Sequence, residues 1–330
     1  METRICDLPD DLLLRILHHV PTKDALATSI LSKRWRYVWT MLPTLEFIDD
    51  GSESVGWFIE NSLQLHKAPK LYCLTVEVGP RCPVDLDVGN WVDNAVNRGV
   101  RGLFLKLLWN AEPTSFPKCL YTCDTLVALT LSNQILVDVS FQARLPSLLS
   151  LNLKYVVYKD EDSLVRLLSS SPVLKVLHVH RHEDDNLINF TVKVSSLKTL
   201  HYVATWRKDG KKDKVEGDEF EENDVEDDNV EEVEEDDGFD EIEEDEVDDD
   251  DVDEVDDNVD DDDDDVDEVE DDDDSNPSLV IDSPALTNLK LDYDWDYCLI
   301  ENMSCLDEAK LHYVRNPSDK FLRSLSIERL

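Results

Sequence analysis

The chain has 330 residues but only nine glycines and three methionines. So few glycines leave little for phosphate-cradling loops, and no P-loop, G-x-G-x-x-G, G-x-S-x-G or H-E-x-x-H pattern occurs. No apolar run is long enough to cross a bilayer. Residues 1–20 carry Asp7, Asp10 and Asp11 and lack a small-residue cleavage site, so no signal peptide is expected. The seven cysteines (6, 73, 82, 119, 123, 298, 305) are odd in number and scattered. Cys119 and Cys123 are the only close pair, and no second pair completes a zinc pattern. Reduced thiols are therefore expected, in nucleus or cytoplasm. The Asp runs lack the spaced ligands, turn glycine and closing glutamate of a calcium loop. No metal, no cofactor and no catalytic constellation are expected.

A basic excess is also missing. Formal charge is −44, from 76 acidic and 32 basic side chains. Residues 216–274 hold 42 of the acids and no Lys or Arg, so the remainder has 34 acids against 32 bases. The low charge belongs to one segment, and it argues against nucleic acid as a direct ligand. That segment cannot bury a core and repels itself, so disorder is expected there. The cluster Arg207, Lys208, Lys211, Lys212 and Lys214 precedes it and reads as a solvated junction.

What is present begins at Ile5. Leu13, Ile16, Leu17 and Val20 recur at helical spacing, with Asp10 and Asp11 at the favourable end of the helix dipole. Pro21 stops this helix, and Thr22 is positioned to cap a second that carries Leu26 and Ile30. Ser32 is positioned to cap a third, where Trp35, Val38, Trp39 and Leu42 repeat the spacing. Three short helices are too small to bury all of this. Leu8, Pro9, Leu13, Ile16 and Leu17 are expected to leave an apolar surface open for a partner.

From residue 71 a second phrase recurs, apolar-x-x-apolar-x-apolar. It reads Leu71-Leu74-Val76, Val100-Leu103-Leu105, Leu126-Leu129-Leu131 and Leu148-Leu151-Leu153. It continues as Leu174-Leu177-Val179, Leu197-Leu200-Tyr202 and Leu286-Leu289-Leu291, with a weaker copy at Leu306-Ala309-Leu311. The steps are 29, 26, 22, 26, 23, 89 and 20 residues. All but the 89 lie in or close to the range of leucine-rich repeats. The last two apolar positions alternate like a strand with one face buried, and stacked units share one core. Removing residues 207–277 from the long step leaves 18, so the acidic tract reads as an insertion in a continuing solenoid. Long insertions are tolerated because closure cost grows only logarithmically. A helix is expected near Asp162–Ser169.

The first stretch resembles the F-box. The match runs through Leu8-Pro9, Asp10-Asp11, Leu13-Leu14-x-Ile16-Leu17, Pro21, Leu26 to Leu31, and Lys33-Arg34-Trp35. With the repeats, the layout is similar to plant F-box/leucine-rich-repeat proteins, which often end in an FBD segment. Relative to that family the acidic insertion is extra, and the FBD segment is expected to be truncated or absent. The implied architecture is α+β and multi-domain. A three-helix F-box (1–45) precedes an irregular α/β leucine-rich-repeat solenoid (46–206). A disordered acidic insertion (207–277) and C-terminal repeats (278–330) follow. The resemblance implies docking on a Skp-type adaptor and through it a cullin. Adaptor contacts are expected from Leu8, Pro9, Leu13, Ile16, Leu17, Val20, Pro21, Leu26 and Trp35. The chain would then be a substrate receptor of a ubiquitin ligase, contributing proximity while other subunits catalyse.

A substrate is expected on the outward face of the repeat strands. That face would show Thr75, Glu77, Phe104, Lys106, Thr130, Asn152, Lys154, His178, His180, His201, Lys290 and Asp292. Phe104 is its one large apolar side chain. His178, His180 and His182 alternate along one strand about 7 Å apart, too spread to chelate one metal easily. A rival reading makes the chain an acidic scaffold or chaperone for basic nuclear proteins, held by salt-sensitive charge alone.

Overall fold

The structure is a computed structural model that describes residues 5, 8–49, 51, 55–82, 86–108, 112–182, 185–204, 278–293 and 297–312. The expectations for the acidic insertion and for the tail 316–330 lie outside the described residues. Residues 1–208 and 273–330 belong to one compact unit.

The chain opens with helices α1 (Asp10–Leu17), α2 (Thr22–Ala27) and α3 (Lys33–Val38). Short 3-10 turns, Thr28–Ile30 and Trp39–Met41, extend the last two. Leu13, Leu17, Ala25, Trp35, Val38, Trp39 and Leu42 close the core between them. The two expected side-chain caps do not form: neither Ser32 nor a residue before α2 makes one. Thr22 is instead the first residue of α2. Its Oγ1 accepts from the Glu46 amide at 2.8 Å, which ties α2 to the first strand.

The strands follow in the order β1 (Thr44–Ile48), β2 (Cys73–Val78), β3 (Gly102–Leu107), β4 (Thr114–Ser115) and β5 (Ala128–Asn133). Next are β6 (Ile135–Val137), β7 (Ser150–Lys154), β8 (Val157–Tyr158), β9 (Val176–His180) and β10 (Asn189–Lys193). The last are β11 (Thr199–Ala204), β12 (Ser278–Asp282), β13 (Asn288–Tyr293), β14 (Tyr297–Glu301) and β15 (Glu308–His312). Helices α4 (Val55–Leu65), α5 (Val88–Asn97) and α6 (Glu161–Ser169) return the chain between them. Nine strands make one parallel sheet in the order β1-β2-β3-β5-β7-β9-β11-β13-β15. Two small parallel sheets, β4-β6-β8 and β10-β12-β14, complete the coils.

The repeat phrase sets this register. Leu74, Leu103, Leu129, Leu151, Leu177, Leu200 and Leu289 are partners along one row. Each is nearly inaccessible to solvent. Burying a leucine fully contributes about 1.5–3 kcal/mol, so one row is a large part of the stabilisation. Asn133 and Tyr155 have positive φ, 70° and 55°, at the corners where β5 and β7 turn toward β6 and β8. One strand was hidden in the sequence. Leu42, Leu45 and Phe47 fit the repeat phrase and are buried, and β1 pairs with β2. The solenoid therefore begins inside the stretch assigned to the F-box.

The sheet also continues across the acidic tract. β11 pairs with β13, and β10 pairs with β12. Residues 205–277 therefore join β11 to the back strand of the same coil. The matching corners hold residues 181–188 and 294–296.

The helical unit is not a bead on a string. Lys67 and Ala68 amides donate to the Thr40 carbonyl at 2.8 and 3.0 Å. Arg98 Nη1 donates to His66 Nδ1 at 2.5 Å, and His66 Nε2 donates to the Leu42 carbonyl at 2.8 Å. With one donor-only and one acceptor-only partner, the imidazole is neutral. Burial, above all, lowers its pKa to about 4.

Candidate docking and recognition surfaces

Two surfaces stand out, one on the helices and one on the long sheet. Pro9, just before α1, and Leu12 and Ile16 on it share a stripe at helical spacing, with Leu12 41 % and Ile16 42 % exposed. The turn between α2 and α3 bears Ile30 at 86 % and Leu31 at 60 %. Tyr37 on α3 is exposed as well. So many large apolar side chains on so few residues mark a contact surface.

Burial divides the expected adaptor contacts. Leu13, Leu17 and Trp35 are 0–2 % exposed and belong to the helical core. They hold the surface up and are not available to a partner. Leu8, Val20 and Leu26 are half-buried against that core, while Pro9, Ile16 and Pro21 are exposed. The period found the helix but not which edge of its stripe α3 covers. Leu12, Ile30, Leu31 and Tyr37 are exposed on the same unit and were not among the expected contacts. Exposure inside a small bundle depends on packing that no local pattern carries.

Arg34 shapes the same unit. Its Nε and Nη2 lie 2.7 and 2.6 Å from Asp10 Oδ1, and Nη2 also donates to the Leu8 carbonyl. The acidic residue and the basic residue of the motif thus clamp the start of α1 to α3. The pair is partly exposed, so its contribution is at most about 1 kcal/mol.

On the long sheet the outward positions form two rows. The first runs Thr75, Phe104, Thr130, Asn152, His178, His201 and Lys290. The second includes Glu77, Lys106, Lys154 and His180. Phe104 is half-buried, and a Cβ on Gly102 would stand 3.0 Å from its ring. Glycine there gives the ring its seat. Lys106 is engaged with Glu77 at 2.9 Å.

The histidines cluster across strands rather than along one. His201 lies between two neighbours, with ring centroids 5.6 Å from His178 and 5.4 Å from His180. His180 is not a solvent-face residue as the alternation implied. It is 8 % exposed, with the Tyr155 ring 6.0 Å away. Burial first, then neighbouring positive groups, lower the pKa of His180 and His201 to about 4. His178 shifts the same way, by burial and then Lys154 and Lys290. Among the described residues no three His, Cys, Asp or Glu side chains converge to hold a metal. The close pair of thiols offers none either: burial and a bond to Asp93 push Cys119 up to about 12.

Beside this face, at the corner after β9, Arg181 is enclosed. Its Nε lies 2.9 Å from Asp185 Oδ2, and Nη1 donates to Tyr202 OH at 3.1 Å. The Arg181 and Asp185 side chains are 3 % and 1 % exposed. Nothing in the sequence singled out this pair.

Comparison with known proteins agrees with this layout. The F-box domain model matches residues 5–47. The model for the leucine-rich repeats of the FBD-associated F-box protein At5g56370 matches residues 88–218. The F-box/FBD/LRR-repeat protein At1g22000 of Arabidopsis thaliana is 63 % identical over 99 % of this chain and 60 % of its own length. The Arabidopsis thaliana F-box/FBD/LRR-repeat protein At5g56420 is 45 % identical over 60 % of this chain and 48 % of its own length. The chain thus spans between about half and three fifths of these relatives. No solved structure gives a significant match. An F-box and, in the same compact unit, leucine-rich repeats of the FBD-associated type make this chain similar to the plant F-box/FBD/LRR-repeat proteins.

Proposed function

We propose that this chain is the substrate-recognition subunit of a Skp-cullin-F-box ubiquitin ligase. The observation that carries the reading is the exposed apolar surface at Leu12, Ile16, Ile30 and Leu31, on a helical unit whose buried side chains run on into the core of the repeats. That surface takes the adaptor, and the adaptor brings the cullin. The outward face of the long sheet takes a protein substrate. The bonds at Thr22, Thr40 and His66 join the two surfaces in one unit. A rigid link matters because this chain contributes proximity, and misplacing a substrate wastes it.

The test is assembly. The full chain is mixed with a plant Skp-type adaptor and a cullin, and run on size exclusion. The expected result is one co-eluting ternary species. Separate elution of a folded chain, at micromolar concentrations of each component, would overturn the reading.

A further inference from the structure

We propose that the substrate is engaged through a carboxylate-rich acidic segment, laid across β7 to β15 over a histidine-lysine patch. This rests on the receptor reading above and names the substrate class for it. The patch is a juxtaposition across strands. Lys154 pairs with His180, Asn152 with His178, His178 with His201, and His201 with Lys290. Lys290 in turn pairs with Lys310. An open cavity of about 220 Å³ lies over this row, lined by His178, His201, Lys290, Lys310, Asn288 and Glu308 among others.

Charge selects the class of ligand. Two carboxylates share the area: Glu308 is engaged with Lys310 at 3.0 Å, and Asp292 sits beside Lys290 on β13. Against them stand Lys154, Lys290 and Lys310, beside three imidazoles that can take up protons. A folded basic partner would meet lysines.

Spacing selects the form. Neighbouring strands lie about 4.8 Å apart, so the lysines on β7, β13 and β15 spread over some four strand spacings. That suits several charges along an extended peptide better than one dianion. The patch also has no arginine, and so no fork to grip a phosphate at two points.

The histidines make the site responsive. Burial first, then neighbouring positive groups, disfavours their charged forms. A bound carboxylate offsets Lys154 and Lys290 and favours the imidazolium. Binding then takes up protons, so affinity rises as pH falls. The groups facing the cluster are Lys154 on β7, Lys290 and Asp292 on β13, and Glu308, Lys310 and His312 on β15, with Tyr155 beside His180 and His182 beside Tyr155.

The experiment is fluorescence anisotropy with a labelled octaglutamate peptide, titrated with the full chain. The same titration on a chain lacking 216–274 removes 42 carboxylates that compete in cis. Expected is saturable binding that tightens at least threefold from about pH 7 to about pH 5 and weakens with added salt. Lys290→Glu and His201→Ala should each weaken it at least tenfold, about 1.4 kcal/mol. Lys118→Glu, an exposed site outside the patch, should not. His201→Ala should also flatten the pH dependence, which a merely structural role would not do. No binding in either chain form overturns the proposal. So does equal competition by inorganic phosphate or by a single-phosphoserine peptide, which would mark a one-anion site. Adaptor co-elution is run on the same samples. Peptide failure with intact adaptor binding sinks only this inference, whereas adaptor failure with intact peptide binding sinks the receptor reading and leaves the patch an acidic-peptide site with no substrate role.

Discussion

Ile30→Asp combined with Leu31→Asp should weaken adaptor binding at least hundredfold, about 3 kcal/mol, and leave the fold intact. Both side chains are largely in solvent, so the free protein loses little by the change. The complex loses two apolar anchors and must bury two carboxylates without partners, which costs several kcal/mol. Leu13→Asp is the informative contrast. Leu13 is 0 % exposed, so its carboxylate would fall inside the helical core and the unit should not fold. Calorimetric titration, with circular dichroism as a fold check, separates the two outcomes. A folded Ile30/Leu31 variant that still binds with wild-type affinity would move the docking surface elsewhere.

Arg181→Met should destabilise the solenoid by about 3–5 kcal/mol, because it strands the Asp185 carboxylate in the interior. The arginine is also held by Tyr202 OH and the Leu187 carbonyl, and its guanidinium sits 5.4 Å from the centre of the Phe190 ring. Asp185 keeps one bond, from the Leu187 amide at 2.8 Å, which is not enough for a buried charge. The double change Arg181→Met/Asp185→Leu should recover most of the loss, since neither charge then remains. Urea unfolding of the three proteins measures this. A single variant within about 1 kcal/mol of wild type would mean that water reaches the corner in solution.

The repeat frame was legible because one rule generates it. A strand with one buried face shows alternating leucines, and stacking demands the same register in each coil. The eight triplets from Leu71 to Leu311 all fall in the long sheet. The ninth, Leu42-Leu45-Phe47, was read as the end of a helix because Leu42 also completes the Trp35-Val38-Trp39 spacing. Both readings of Leu42 hold, since it closes the helical core just before β1. The continuation past the acidic tract was legible from matching flanks, whereas the exact corner that holds it needed the β10–β12 pairing.

The candidate surfaces were less legible. Which side of the α1 stripe is covered depends on Trp35 and Trp39, far along the chain. His180 alternates outward by period, yet Tyr155 from the preceding coil packs beside it, placed by a left-handed corner. Thr22 looked like a cap because caps favour threonine, but the tertiary bond to Glu46 claimed its hydroxyl. In each case a contact distant in sequence decided what local chemistry left open.

The measurement that bears most directly on the account is amide hydrogen exchange of the full chain, with and without the Skp-type adaptor. The account predicts slowed exchange on adaptor binding in α1 and in the segment from Thr28 to Lys33, and unchanged exchange along β7, β9, β11 and β13. Protection on those strands instead, with α1 and the Thr28–Lys33 segment unaffected, would contradict the assignment of the helices to the adaptor and the sheet to the substrate.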